Sequence, residues 1–294
     1  MNLKSSPLSM VAISLLFFCM DLFAGSLSEY PSRFWMIEKN GKTNYLLGTM
    51  HVPDKSISVL PPYIHRIVTS LAHLTLEVKL SSAARTEAVS VFNLSNGESL
   101  QSMIGDRDFR RLVSIFKPYG IRASKIRELK PWAAAIMISQ PPHSKEPILD
   151  FELQKQFSYR SKPVYQLETA QEQLQIFDHL DLDTQVSFLR YSIAQQPRFA
   201  SDLEKMKRAY LLGDLSKLQE IAIEQQAIEE RSILESLMRK IIEDRNYTMV
   251  ARMQSQLGLG NGLIAVGALH LPGDEGIINL LREKGYYVNP IFDR

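Results

Sequence analysis

The sequence predicts an α/β fold of the α+β-like kind: a central mixed β-sheet wrapped by many helices, in a single domain with a helix-rich middle. Three observations predict it. Short apolar runs bounded by glycine, proline or turn residues recur from Phe34 to Pro290. The segments between them are long and repeat their apolar residues at the helical period. Two of the runs, at opposite ends of the chain, finish in Gly-x-x-His followed at once by a turn-forming stretch. These are Tyr45-Leu46-Leu47-Gly48-Thr49-Met50-His51 and Leu263-Ile264-Ala265-Val266-Gly267-Ala268-Leu269-His270. Each reads as a buried strand that delivers a histidine to its exit loop, and sites in α/β proteins assemble at the carboxyl ends of strands.

Taken in order, residues 1–24 read as a secretory signal and stand outside the fold. Lys4 gives a weakly positive start, Met10 to Phe18 is an uninterrupted apolar run, and Leu22-Phe23-Ala24 puts a small residue before Gly25. The run is too short for a membrane span, which needs about 20 apolar residues. Cys19, the sole cysteine, falls inside residues 1–24, so residues 25–294 hold no disulfide, thiolate nucleophile or thiolate ligand. A chain of that size buries roughly three-quarters of its unfolded surface and can be held by its core alone.

Phe34-Trp35-Met36-Ile37-Glu38 and Asn44-Tyr45-Leu46-Leu47 flank an Asn40-Gly41 turn, which is a hairpin signal. A helical stretch from Tyr63 to Ala72 leads to a third strand, Leu74-Thr75-Leu76-Glu77-Val78. Asp106 to Lys117 has apolar residues at 109, 112, 113 and 116 and is closed by Pro118. Pro131 opens the next helix at its first position, where a missing N–H costs little. Lys162 to Leu167 is a fourth strand. From about 180 to 256 the sequence shows almost only helical periodicity, with breaks expected at Gln196-Pro197 and Gly213-Asp214. The apolar stripe of this helix-rich insertion (Ile221, Ile228, Ile233, Leu234, Leu237, Ile241) reads as a packing face. Gly262 to Gly267 and Tyr286 to Pro290 supply the fifth and sixth strands.

The net charge of +2 is spread over interleaved acids and bases, and no basic block or basic–aromatic stripe marks a nucleic-acid footprint. The signal segment leads to the expectation of an exported chain, periplasmic or secreted, with no membrane anchor after signal cleavage.

His51 and His270 lead the candidates for chemistry. In each segment the glycine lets the backbone turn sharply or approach a bound group, which makes Gly48 and Gly267 candidates for substrate contact. A proline two residues after each histidine stiffens the exit loop. Glu77 is the natural third member, because a carboxylate in an apolar strand costs several kcal/mol unless it meets a cation or hydrogen-bond donors. Two histidines and a carboxylate form a ligand set known for catalytic divalent sites. A metal there would lower the pKa of bound water from about 15.7 to about 7. Without one, a histidine–glutamate pair can still act as a general base worth about 10²–10⁴-fold. Arg245-Asn246, expected to end or bend a long helix, is either a solvated polar cluster or a donor pair for a substrate carbonyl or oxyanion. No Gly-x-Ser-x-Gly elbow and no phosphate-binding glycine loop occurs. His65, His73, His143 and His179 lack a comparable setting and read as structural or exposed.

In these segments the chain resembles the TraB/GumN family, to which the Tiki proteases are related. The resemblance rests on Leu47-Gly48-Thr49-Met50-His51, Leu76-Glu77-Val78, Leu129-Lys130-Pro131-Trp132 and Asp150. It continues through Lys162-Pro163-Val164, Leu167-Glu168-Thr169, Gly213-Asp214-Leu215, Asp244-Arg245-Asn246 and Val266-Gly267-Ala268-Leu269-His270. It implies a fold like that of the erythromycin-esterase and ChaN-like proteins, with a cleft at the two Gly-x-x-His segments and the strand glutamate. It also implies a divalent ion (manganese or cobalt, with zinc a further candidate) on His51, Glu77 and His270, and substrate positioning by Arg245 and Asn246. The expectation is an exported metal-dependent hydrolase acting on peptide bonds. Two alternatives stand beside it: a protein that binds a peptide or small molecule without turnover, like the pheromone-shutdown relatives, and a metal-free esterase with a histidine base.

Overall fold

In the computed structural model the described residues are 30–79, 91–95, 97–142, 144–224, 237 and 239–292. The expected signal segment with Cys19, His143, and the stripe positions Ile228, Ile233 and Leu234 lie outside them.

The hairpin forms where the turn chemistry places it. β1 (Phe34–Lys39) and β2 (Lys42–Thr49) pair antiparallel with Lys39 opposite Lys42. Asn40 and Gly41, with φ of 51° and 71°, adopt the left-handed conformation that such a two-residue turn demands. The chain then runs through α1 (Lys55–Ser58) and α2 (Pro62–Ser70) to β3 (His73–Val78). Next come α3 (Leu100–Ile104), α4 (Asp106–Phe116), α5 (Ala123–Arg127), α6 (Pro131–Ile138), α7 (Leu149–Tyr159) and β4 (Val164–Glu168). The helix-rich stretch holds α8 (Ala170–Asp178), α9 (Leu182–Leu212), α10 (Leu215–Glu224), α11 (Glu243–Arg252) and α12 (Gln254–Leu259). β5 (Gly262–Gly267), α13 (Ile277–Glu283) and β6 (Tyr287–Pro290) close the fold.

These elements build the mixed six-stranded α/β sheet that the apolar runs imply, in the order β4-β3-β5-β2-β1-β6. β4, β3, β5 and β2 are mutually parallel, and β1 is antiparallel to both β2 and β6. One face packs on α2 and α7 through Phe34, Leu47, Ile64, Leu74, Leu76, Leu153 and Phe157. The other face meets the larger core, in which Trp35, Leu46, Trp132, Phe177, Phe188 and Tyr210 are buried. Leu237 and Ile241 of the expected stripe belong to this core, as does Ile221.

One boundary differs from expectation. α9 runs unbroken from Leu182 to Leu212 with Pro197 inside it. Pro197 itself is exposed, while the buried Val186, Leu189 and Tyr210 anchor the helix on either side and hold it together through the proline. The break at Gly213 occurs as expected, with φ of 77°. Among the described residues no helix is long and apolar enough to cross a membrane.

Candidate active site at the carboxyl edge of the sheet

Strand order assembles the site. β5, the latest strand but one, slots between β2 and β3, so the exits of β2, β5 and β3 are neighbours at the same edge. Adjacent strands lie about 4.8 Å apart. His51 follows β2, His270 ends a short 3₁₀ turn after β5, Glu77 lies at the end of β3, and Glu168 ends β4 beside it. All four are buried. Gly48 makes the close approach possible: a Cβ there would stand 3.1 Å from the Ala268 backbone and 3.2 Å from the Leu271 side chain.

Glu77 meets the cation that its burial demands. Arg245, in the first turn of α11, hydrogen-bonds Glu77 Oε1 through Nη2. The same guanidinium holds Glu168 through Nη2 at 2.7 Å and Nε at 3.1 Å, and its Nη1 donates to the Ile241 carbonyl at 3.0 Å. Gln173 Nε2 donates to Glu77 Oε1 at 2.7 Å and to Glu168 Oε2 at 3.2 Å, and the Gly267 N–H donates to Glu77 Oε2 at 3.0 Å. Burial pushes the Glu77 carboxyl up, but Arg245, the histidines and the Gly267 N–H outweigh it and hold it at about 2. Arg245 carries most of that effect, because His270 is neutral above about pH 3.

The two histidines have different partners. His51 Nε2 lies 3.2 Å from Asp150 Oδ1, and Thr49 Oγ1 donates to the same oxygen at 3.0 Å. His270 Nδ1 lies 2.6 Å from Asn246 Oδ1. Asn246 Nδ2 donates to the Glu275 carbonyl at 2.8 Å, so the amide oxygen faces the ring and His270 carries its proton on Nδ1. Its Nε2 is then a buried acceptor that makes no hydrogen bond among the described residues. Burial first, and the Arg245 charge second, press the His270 pKa down to about 3.

The structure thus brings His51, Glu77, His270, Arg245, Asn246, Gly48 and Gly267 to one edge. It gives Arg245 and Asn246 intramolecular partners for their side-chain donors. The helical run turns at Ile242, and both residues then sit at the start of a new helix. It also adds Asp150, Glu168 and Gln173, to which the sequence reading assigned no role. Their signal was available: Asp150 shares the buried face of α7 with Leu149, Leu153 and Phe157, and Gln173 shares that of α8 with Ala170, Leu174 and Phe177. A polar residue at a core position is informative in the same way as Glu77. His73 is buried at the far end of β3, whereas His65 and His179 are exposed.

Whether the residues fit a metal turns on their lone pairs. Both Glu77 oxygens are engaged by three donors, one of them cationic. Among the described residues, no group of three or more His, Cys, Asp or Glu side chains is disposed to hold an ion. His270 Nε2 and Asp150 Oδ2 are buried without hydrogen-bond partners, and these two atoms are suited to a cation.

The chain is similar to a protein named "Metalloprotease TIKI homolog" from Amphimedon queenslandica, 24% identical over 316 aligned residues, covering 88% of this chain and 61% of that relative. It therefore spans less than two thirds of that relative's length. It is also similar to "Uncharacterized protein YbaP" of Shigella flexneri, 22% identical with 81% of this chain and 88% of the relative covered. The YbaP of Escherichia coli (strain K12) is 23% identical, with 81% and 87% covered. No solved structure matches. A family model, the TraB/PrgY/gumN family, matches residues 33–290, a span that runs from β1 to β6 and takes in both Gly-x-x-His exits, so the chain belongs to the TraB/PrgY/gumN family.

Proposed function

We propose that the protein is a hydrolase working at the two Gly-x-x-His exits, that peptide bonds are its substrate class, and that it acts after export directed by its N-terminal apolar run. One observation carries the reading: the buried Nε2 of His270, without a partner among the described residues and locked in its tautomer by Asn246. An unsatisfied buried acceptor costs about 1–3 kcal/mol, and such an atom is explained when a reacting water, proton or ion uses it. The similarity to a protein named a metalloprotease supports the reaction class.

The two imidazoles suit different tasks. A base with a pKa of about 3 takes protons poorly at neutral pH, so His270 serves as an acceptor that orients the attacking water. His51 is the base, and the Asp150 carboxylate facing its Nε2 stabilises the imidazolium as it forms. Arg245 holds Glu77 ionised, and Glu77 in turn fixes the Gly267 N–H at the end of β5. In this reading Arg245 and Asn246 position the site from behind the reacting atoms.

The family resemblance also implies a divalent ion on His51, Glu77 and His270. Glu77 does not fit that role as its hydrogen bonds stand, and no step here runs through a metal. A divalent ion is the second reading, favoured by the same His270 Nε2 together with Asp150 Oδ2. The experiment is hydrolysis of a broad fluorogenic peptide library by the purified protein, with and without chelator, beside metal analysis of wild type and a His51→Ala/His270→Ala variant. Cleavage that survives chelation supports the imidazole reading. Cleavage that needs about one manganese, cobalt or zinc ion per chain, lost in the folded variant, supports the second. No cleavage under any condition removes the peptidase reading.

A further inference from the structure

Among the described residues two arginines are buried, Arg33 at 5% exposure and Arg245 at 4%. Arg245 has two carboxylates. Arg33 has none among the described residues, and its Nη1 is a buried donor without a partner. Its guanidinium lies over the ring of Tyr210, 4.5 Å from the centroid. A cation–π contact offsets only part of what it costs to bury an isolated charge. Asp150 is near enough to act on the same tyrosine, yet no carboxylate among the described residues touches the guanidinium, and its Nη1 stays unmatched.

We infer that Arg33 and Tyr210 form a subsite for a carboxylate carried by the substrate, beside the first Gly-x-x-His exit. The inference rests on the hydrolase reading only in calling that carboxylate part of a substrate; the anion site itself stands on the geometry. Arg33 extends the β1–β2 ladder by one step, its carbonyl accepting the Gly48 N–H at 2.8 Å. The Tyr210 hydroxyl donates to the Gly48 carbonyl at 2.9 Å, so cation, phenol and glycine form one corner. Gly48 precedes His51 by three residues, and three residues of extended chain span at most about 11 Å. That is the reach of a short peptide between its carboxylate and the bond to be cut.

Charge balance selects the anion. Arg33 is the one cation in contact with this ring and the buried Asp150 already acts on it, so a singly charged carboxylate is tolerated better than a phosphate dianion. Gly213 keeps this corner open to close packing, since a Cβ there would stand 3.5–3.6 Å from the backbone of Ser32 and Arg33. No second arginine or lysine pairs with Tyr210 among the described residues. The planar guanidinium is the side chain best matched to a carboxylate edge.

The test is titration calorimetry on the purified protein at fixed ionic strength, with acetyl-Ala-Ala as the free acid, its C-terminal amide, acetyl-Glu-amide and inorganic phosphate. The free acid is expected to bind roughly 10- to 100-fold tighter than the amide. Arg33→Gln removes the difference, and Arg33→Lys retains part of it. Tighter binding of acetyl-Glu-amide than of acetyl-Ala-Ala assigns the carboxylate to a substrate side chain, and the reverse order assigns it to a C-terminus. Equal binding of acid and amide to the wild type overturns the inference, and that comparison needs no variant to fold. A preference that survives in folded Arg33→Gln also overturns it, as does phosphate binding more tightly than either carboxylate. Binding requires no turnover, so a failure of the hydrolase reading and a failure of this subsite are separately visible.

Discussion

Glu77 is ionised at a position where burial alone would neutralise it, and the charge that keeps it so is Arg245. Removing one member of a buried ion pair strands the other, at a cost of about 3–5 kcal/mol. Arg245→Met leaves two buried carboxylates and should lower stability by that amount in urea denaturation; a loss below about 1 kcal/mol would mean that the cluster is hydrated. The pH dependence has a definite sign. His270 is held at about 3 against an ordinary 6.5, and Glu77 at about 2 against 4.5. In both windows the unfolded chain binds the proton and the folded chain does not, so stability falls as pH drops. His270 contributes the decline from about pH 6.5, and Glu77 adds to it below about 4.5. Urea midpoints of His270→Gln should therefore vary less than wild type between pH 6.5 and 4.5; parallel curves would contradict a neutral His270. At this scale the sequence was partly legible. Glu77 stood out because an acid interrupts an apolar strand, whereas Asp150 and Gln173 each occupy one core position on an otherwise ordinary amphipathic helix.

Elements position these residues through two close approaches. At the first, the end of β2 touches the turn that carries His270, and Gly48 is the contact. Gly48→Ala puts a methyl 3.1–3.2 Å from Ala268 and Leu271, and overpacking of this kind costs about 1–3 kcal/mol. Its signature should be a loss of hydrolysis larger than the loss of stability, because the two histidine exits are pushed apart; a variant with wild-type rates would show that the turn yields freely. At the second, Glu243 opens α11 against Glu275 of the His270 loop. Burial, then Glu275, raise its carboxyl to about 7. A raised carboxyl stabilises the fold at low pH, and the contribution disappears as pH rises through 7. Glu243→Gln should therefore be more stable than wild type at pH 8 in thermal melts; equal or lower stability there would contradict the repulsion. Strand and helix positions were legible because both periods are written in the apolar pattern. The unbroken α9 was not, since its packing on either side of Pro197 is a tertiary effect that no local signal carries.

For the whole molecule, the decisive fact is that β5 enters between β2 and β3. Two histidines more than 200 residues apart become neighbours because a strand from the end of the chain fills a slot left near its start. The repeated Gly-x-x-His pattern disclosed that the two segments are alike, but strand order is fixed by packing over the full chain, and periodicity does not encode it. Nor could spacing disclose that Arg245 would close on Glu77 and Glu168, since each of the three comes from a different element. The proposed function requires that this edge hydrolyse substrate with both histidines. The most direct measurement compares peptide-library hydrolysis by wild type, His51→Ala and His270→Ala, each shown to be folded by circular dichroism. Turnover is expected in the wild type, with a loss of about 100-fold or more in each variant. Wild-type turnover that persists in either folded variant would contradict it.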